Sequence, residues 1–310
     1  MHNIKINAVR LSLTDTLYSG QSFMWNYLYD NRNISAGILC DTPVLISTES
    51  TEEIEIICAS SWMGEMPPEE FFPDYFSFDV DVRNAFPEKF TFRYPCVWEQ
   101  LQKYFSLRIL RQDPFEAMIT FMCAQGIGMR IIRNQVSLLA RTYGKRYDIM
   151  YRDRPLTLYG FPSPVLLAGC DPLELSICTN NNRTRARNII LASRAVAEGN
   201  VDFNALRDDN IPLEEVRRRL CELNGIGLKI ADCIALFGLG RFDAFPVDTH
   251  VRQYLAEWFG STAALRPLTP STYLTLDAEA RTIFNPALAG YAGHLLFHCW
   301  RKEVKKLRWF

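Results

Sequence analysis

A chain of 310 residues that is 48% apolar and 13% aromatic can bury a full core, and its length fits one large or two medium domains. A formal net charge of -1 and a pI near 6.5 exclude a global pull on phosphate, so any nucleic-acid binding must come from local features. No apolar run approaches the roughly 20 residues of a spanning helix, and the start, MHNIKINAVRLSL, has no continuous apolar segment and no small-residue cleavage site. No membrane association is expected.

Up to about residue 95 the pattern favours strands, with VLISTE and IEIICA as short apolar or alternating runs bounded by Asp, Pro, Thr and Ser. This predicts an antiparallel β region with some helix over 1–95. From Cys96 onward the period changes, and EAMITFMCAQ, RARNIILASRAVAEG, PLEEVRRRLCEL and THVRQYLAEWF each carry apolar residues three and four apart. Residues 96–310 are therefore expected to be all-α, and the whole an α+β chain. The 9 cysteines show no paired CxxC spacing and mostly sit among apolar neighbours, so they are read as reduced thiols in a cytosolic or nuclear setting. Local basic clusters fall at Arg183, Arg185 and Arg187, at Arg217 to Arg219, and at Arg301 to Arg308.

Within the helical part, Pro212 suits a first helical position and Leu213, Val216, Leu220 and Leu223 follow at helical spacing. That helix is expected to end at Gly225, and a second to start at Gly227 with Ile230, Ile234 and Phe237 as its core stripe. The prediction is helix, hairpin, helix over about 212–238. Two glycines let the backbone approach another molecule closely, and the new helix offers free N–H groups and its positive dipole end to an anion, for which a phosphate is the natural guest.

Lys229 interrupts this apolar stretch on the face of Cys233 and Leu236 rather than on the Ile230 stripe. A lone helical lysine most often lays its stem over apolar surface. In a poorly hydrated site, however, such a side chain serves as an amine nucleophile that forms a Schiff base with a carbonyl or sugar carbon. Asp248 follows Pro246 and Val247 and precedes Val251, Tyr254, Leu255, Trp258 and Phe259, which form one helical face. It is expected to be an N-cap, and the bonds that cap the helix also hold the carboxylate in place as a counter-charge to a developing cation.

The stretch LNGIGLKIADC followed by FPVDTH resembles the helix-hairpin-helix DNA glycosylases, and within them the 8-oxoguanine DNA glycosylases. SGQSFMW, ILRQDPFEAMITFMCAQ, YGFPSPVLLAG, RTRARNI and AGYAGHLLF fall in the family's order along nearly the whole chain. The resemblance implies an N-terminal antiparallel β domain, similar to half of the TATA-binding protein, on an all-α glycosylase core. It implies Lys229 as the nucleophile at the sugar C1′ and the lyase Schiff base, and Asp248 as the stabiliser of the oxocarbenium-like transition state. Cys233 and Phe297 would sandwich the target base, which must first leave the stack. The Gly20 carbonyl would accept the N7 hydrogen that distinguishes 8-oxoguanine. Gly225, Gly227 and His250 would contact the DNA backbone, and Arg185 would read the opposite cytosine. The partner implied is damaged double-stranded DNA, bound by a monomer, in the cytoplasm of a prokaryote or the nucleus of a eukaryote. The four-cysteine iron–sulfur loop of the endonuclease III branch is absent, so no cofactor and no metal are expected.

The chain departs from the animal pattern at several places. Gly126, Ile127 and Gly128 stand where three asparagines are usual, Thr184 replaces a wedge tyrosine, and Gly293 aligns with a base-reading glutamine. A second cytosine-reading arginine aligns with Ile131, or with Arg130 if the register slips. Two other readings stay open. A monofunctional alkylpurine glycosylase shares the fold and the aspartate but generally lacks the lysine, and a non-catalytic module would use the hairpin only as a phosphate clamp.

Overall fold

The computed structural model describes residues 2–7, 11–28, 31–48 and 53–307, so Arg308 of the C-terminal basic cluster lies outside the described residues. The chain forms two compact units, each built from two segments: residues up to Phe78 with Met122–Val201, and Asp79–Phe121 with Asp202–Phe310. The boundary expected at 95/96 falls inside the second unit, at the start of the helix Pro95–Leu101.

In the first unit β1 (His2–Asn7), β2 (Asn26–Leu28), β3 (Asn31–Leu39), β4 (Thr42–Ser47) and β5 (Glu53–Cys58) form an antiparallel sheet in the order β1-β5-β4-β3-β2. The central strand β4, TPVLIS, is buried at every position, as a strand covered on both faces must be. One cover was not expected from the sequence. In the stretch predicted to be all-α, β6 (Arg146–Tyr151) and β7 (Arg154–Tyr159) pair as a hairpin. Its Tyr151, Ile149, Leu156 and Leu158 pack on Leu28, Ile34, Ala36 and Leu45 of the sheet. A two-stranded ribbon is marginal by itself, and this packing is what makes it hold.

The second unit is helical among the described residues. The predicted hairpin is present as the helices Leu213–Cys221 and Leu228–Gly238. The first ends four residues earlier than expected, and Pro212 is its N-cap rather than its first helical residue. The turn then closes with the Ile226 N–H donating to the Leu223 carbonyl at 3.1 Å, and Gly225 takes φ +87°, where a side chain would be strained. Gly227 differs, because at φ -104° any residue fits, with open space where a Cβ would stand. Its missing side chain serves exposure, leaving the helix start bare.

Beneath the hairpin lies a buried ion network. Arg217, 4% exposed, donates to both oxygens of Asp232 at 2.7 and 2.9 Å and to Asp277 at 3.1 Å, while the Tyr273 hydroxyl donates to Asp232 at 2.6 Å. Burial alone would lower Arg217, but the bonds to the two carboxylates carry it above the usual guanidinium range. Arg218 and Arg219 pair with Glu215, and Arg218 also with Glu222. The cluster Arg217 to Arg219 is therefore internally compensated and is not a free basic patch. Asp232→Ala strands the Arg217 charge, so a loss of about 3–5 kcal/mol is expected in chemical denaturation. A loss below 1 kcal/mol would mean that water or Asp277 replaces the missing carboxylate.

Candidate active site

Among the described residues no helix is long and apolar enough to cross a membrane, and no group of His, Cys, Asp and Glu is placed to hold a metal ion.

The helix Leu228–Gly238 starts with no side chain capping it, and its first N–H groups have no helical partner, since the ladder begins with Ile230 and Ala231 bonding to the Gly227 carbonyl at 2.9 Å each. Lys229 stands in this first turn, where the positive end of the helix dipole disfavours a cation. Helix stability does not call for a lysine here. From Ile230 onward the helix is buried on all sides, so the expected division into a core stripe and a half-apolar face does not hold. Lys229 is half-buried, at the last position before the helix goes under, with its Nζ 5.5 Å from the centre of the Phe121 ring. That ring stacks in turn on Phe237 at 5.2 Å.

Cys233, one turn on, is 3% exposed, and burial pushes its thiol up to about 11. A hydrogen bond and the charge of Lys229 act on the same thiol in the opposite sense, while Asp232 and Asp248 act with the burial. The thiol is thus a neutral, buried surface on which the charges of both Lys229 and Asp248 act. Asp248 is the N-cap of the helix Thr249–Phe259 as expected, its carboxylate accepting from the Val251 N–H at 2.9 Å. The loop that delivers it is fixed. The Val247 N–H donates to the Tyr273 hydroxyl at 3.2 Å, which ties the loop to the Asp232 network.

On its other side the loop presses on the helix Ala289–Cys299, where the two glycines of AGYAG are required by close approach. A Cβ on Gly290 would stand 1.9 Å from the Ala244 carbonyl oxygen, and one on Gly293 2.5 Å from the Phe245 ring. No side chain fits at Gly293, so it offers nothing to a base edge.

Phe297 lies on this helix and is half-buried. His294 stacks on it at 5.9 Å, His250 meets it edge-on at 5.7 Å, and the Arg301 guanidinium lies 5.3 Å from its centre. Burial, helped by His298 and Arg301, pushes His294 down to about 3, so it is a neutral ring at physiological pH. Burial also lowers His250, Asp248 working against it, and the His250 Nδ1 is buried without a hydrogen bond. Lys229, Cys233, Asp248, His250 and Phe297 all belong to the second unit. Gly20 and Arg185 lie in the first. Gly20 has φ +95°, a conformation that favours glycine. Arg185 donates to the Gln125 carbonyl at 2.6 Å, whereas Arg183, Arg187, Thr184 and Ile131 are exposed.

Tyr273, Asp232 and His294 were not singled out from the sequence, and Arg301 was seen only as part of a basic cluster. Asp232 had a signal, as a carboxylate within the apolar run IADCIALF; Tyr273 and His294 had none.

Residues 3–118 match the family model described as 8-oxoguanine DNA glycosylase, N-terminal domain. The chain is 25% identical to the N-glycosylase/DNA lyase OGG1 of Arabidopsis thaliana, over 95% of this chain and 78% of the relative. It is also 25% identical to the N-glycosylase/DNA lyase of Saccharomyces cerevisiae, over 80% of this chain and 68% of that protein. Among solved structures, MBOgg1 in complex with a low-affinity DNA ligand superposes with a TM-score of 0.78 at 26% identity, over 97% of this chain and 96% of the other. An N-terminal antiparallel sheet, a helix-hairpin-helix with a lysine in the first turn of its second helix, and a capping aspartate on the next helix agree with these likenesses, and the chain is similar along nearly its whole length to N-glycosylase/DNA lyases, with an N-terminal part that matches the 8-oxoguanine DNA glycosylases.

Proposed function

We propose that this protein is a bifunctional DNA glycosylase and AP lyase that removes 8-oxoguanine from duplex DNA in base excision repair, acting as a monomer. The observation that carries the reading is the convergence of Lys229 and Asp248, each at the start of its helix, on the buried thiol of Cys233. An amine, a carboxylate and a flat neutral surface are what excision needs. The flipped base lies between Cys233 and Phe297. As the C1′–N9 bond breaks, positive charge develops at C1′ and the Asp248 carboxylate faces it. The Lys229 amine then forms the new C1′–N bond. Loss of a proton and opening of the sugar give a Schiff base, and β-elimination of the 3′ phosphate cuts the strand. The bare first turn of the helix at Gly227 serves the DNA backbone, which explains how a chain of net charge -1 binds a polyanion.

The test is a set of duplexes carrying 8-oxoguanine, an alkylated purine or no lesion, each with and without borohydride. The expected result is base release and a trapped covalent complex with 8-oxoguanine only. Release of the alkylated purine without trapping would favour the monofunctional reading, and binding without release of any base the phosphate-clamp reading.

A further inference from the structure

We propose that Arg301 is the positive counterpart of Asp248: a buried guanidinium on the Phe297 ring that stabilises the negative charge the departing base acquires. The inference rests on the glycosylase reading above and deepens it. Arg301 is 5% exposed, so its charge acts in a poorly hydrated site where it is weakly screened. After Cys299 the helix widens into a π-turn over Trp300–Val304, with the Lys305 N–H reaching the Trp300 carbonyl at 3.0 Å. Such turns are uncommon and concentrate at functional sites. Phe297 stands four residues before Arg301, on the same helical face, and the Arg301 guanidinium lies 5.3 Å from the centre of its ring.

The surrounding charges fit the same division. Burial pushes Arg301 down to about 10, with Asp248 acting against it, so the side chain remains a cation at neutral pH. His294 and His250 meet the same ring and are both lowered, with Arg301 among the causes. Asp248 is the anion toward the sugar and Arg301 the cation toward the base. When the C1′–N9 bond breaks, its electron pair moves onto the base while the Lys229 lone pair forms the bond to C1′. The proton shed by the new secondary ammonium neutralises the base anion, so no outside reactant is needed. Until that proton arrives, the base stacked on Phe297 is an anion near a fixed cation in a poorly hydrated site, where Coulomb attraction is strong. Arg301 acts on the base through its charge and is assigned no contact with the reacting atoms.

Two reactions separate this role from a structural one. Excision of 8-oxoguanine creates a base anion; cleavage at a preformed abasic site uses the same lysine but has no base to release. With saturating enzyme, Arg301→Met should slow excision by about thirtyfold, or ~2 kcal/mol, while abasic cleavage changes by less than about twofold. Arg301→Lys should recover most of the excision rate. Should the methionine variant fail to fold, Arg301→Gln and Arg301→Lys carry the same comparison, because the ratio of the two rates is internal to each preparation. An equal fall in both reactions, or unchanged excision in the neutral variants, would overturn the proposal. A parent protein that cleaves abasic DNA but leaves 8-oxoguanine in place would overturn the glycosylase reading, and this inference with it.

Discussion

Lys229→Gln should abolish covalent trapping by borohydride on an 8-oxoguanine duplex and remove strand cleavage at both lesion and abasic sites. The amide has no nucleophilic lone pair and cannot form the imine that borohydride reduces, so the loss of trapping is expected to be complete. Folding should be unaffected or slightly improved. Lys229 is half-buried, and it stands where the helix dipole disfavours a cation by about 0.3–1 kcal/mol. A melting curve at or above that of the parent, with trapping gone, is the expected pair of results. Trapping at the parent level would place the nucleophile at another amine, and loss of both trapping and folding would make Lys229 a structural residue.

Much of this site was legible because the signals that place it are local. Asp248 was recognisable as a cap because a proline stands before it and an apolar face after it, and the structure bonds it to Val251. Lys229 stood out because a lysine broke an apolar run two residues after a two-glycine turn. What could not be read depends on partners distant in sequence. Arg217 was grouped with Arg218 and Arg219 as a basic cluster, since nothing local shows that its partners are Asp232 and Asp277. Arg301 was likewise one charge in a basic tail; its spacing of four from Phe297 allows the contact, but nothing local shows that the guanidinium is buried there.

The hairpin β6–β7 was missed for a different reason. Alternation is present in Tyr147, Ile149 and Tyr151, and again in Leu156 and Leu158, but the turn between them is Arg152–Asp153, with φ of 45° and 60°. Two-residue hairpin turns with positive φ at both positions normally announce themselves as Asn-Gly or Asp-Gly. Cys40–Asp41 makes the same kind of turn between β3 and β4 with φ of 47° and 56°, again without glycine.

Asp248→Asn should separate the two tasks of one side chain. Asparagine caps a helix about as well as aspartate, and its amide oxygen can accept from the Val251 N–H as the carboxylate does at 2.9 Å, so the melting temperature should barely move. The charge is lost, however, at the point where C1′ becomes cationic. Removing one fixed electrostatic stabiliser of a transition state typically costs on the order of 10²–10³-fold in rate, and single-turnover excision of 8-oxoguanine should fall by that much. Cleavage of a preformed abasic site should fall less, because the open aldehyde forms its imine without passing through an oxocarbenium ion. Asp248→Ala completes the comparison: it should lose excision to a similar degree and also about 1 kcal/mol of stability with the cap. If the asparagine variant excises at the parent rate, the carboxylate is a cap and nothing more, and the cation at C1′ must be met by another group.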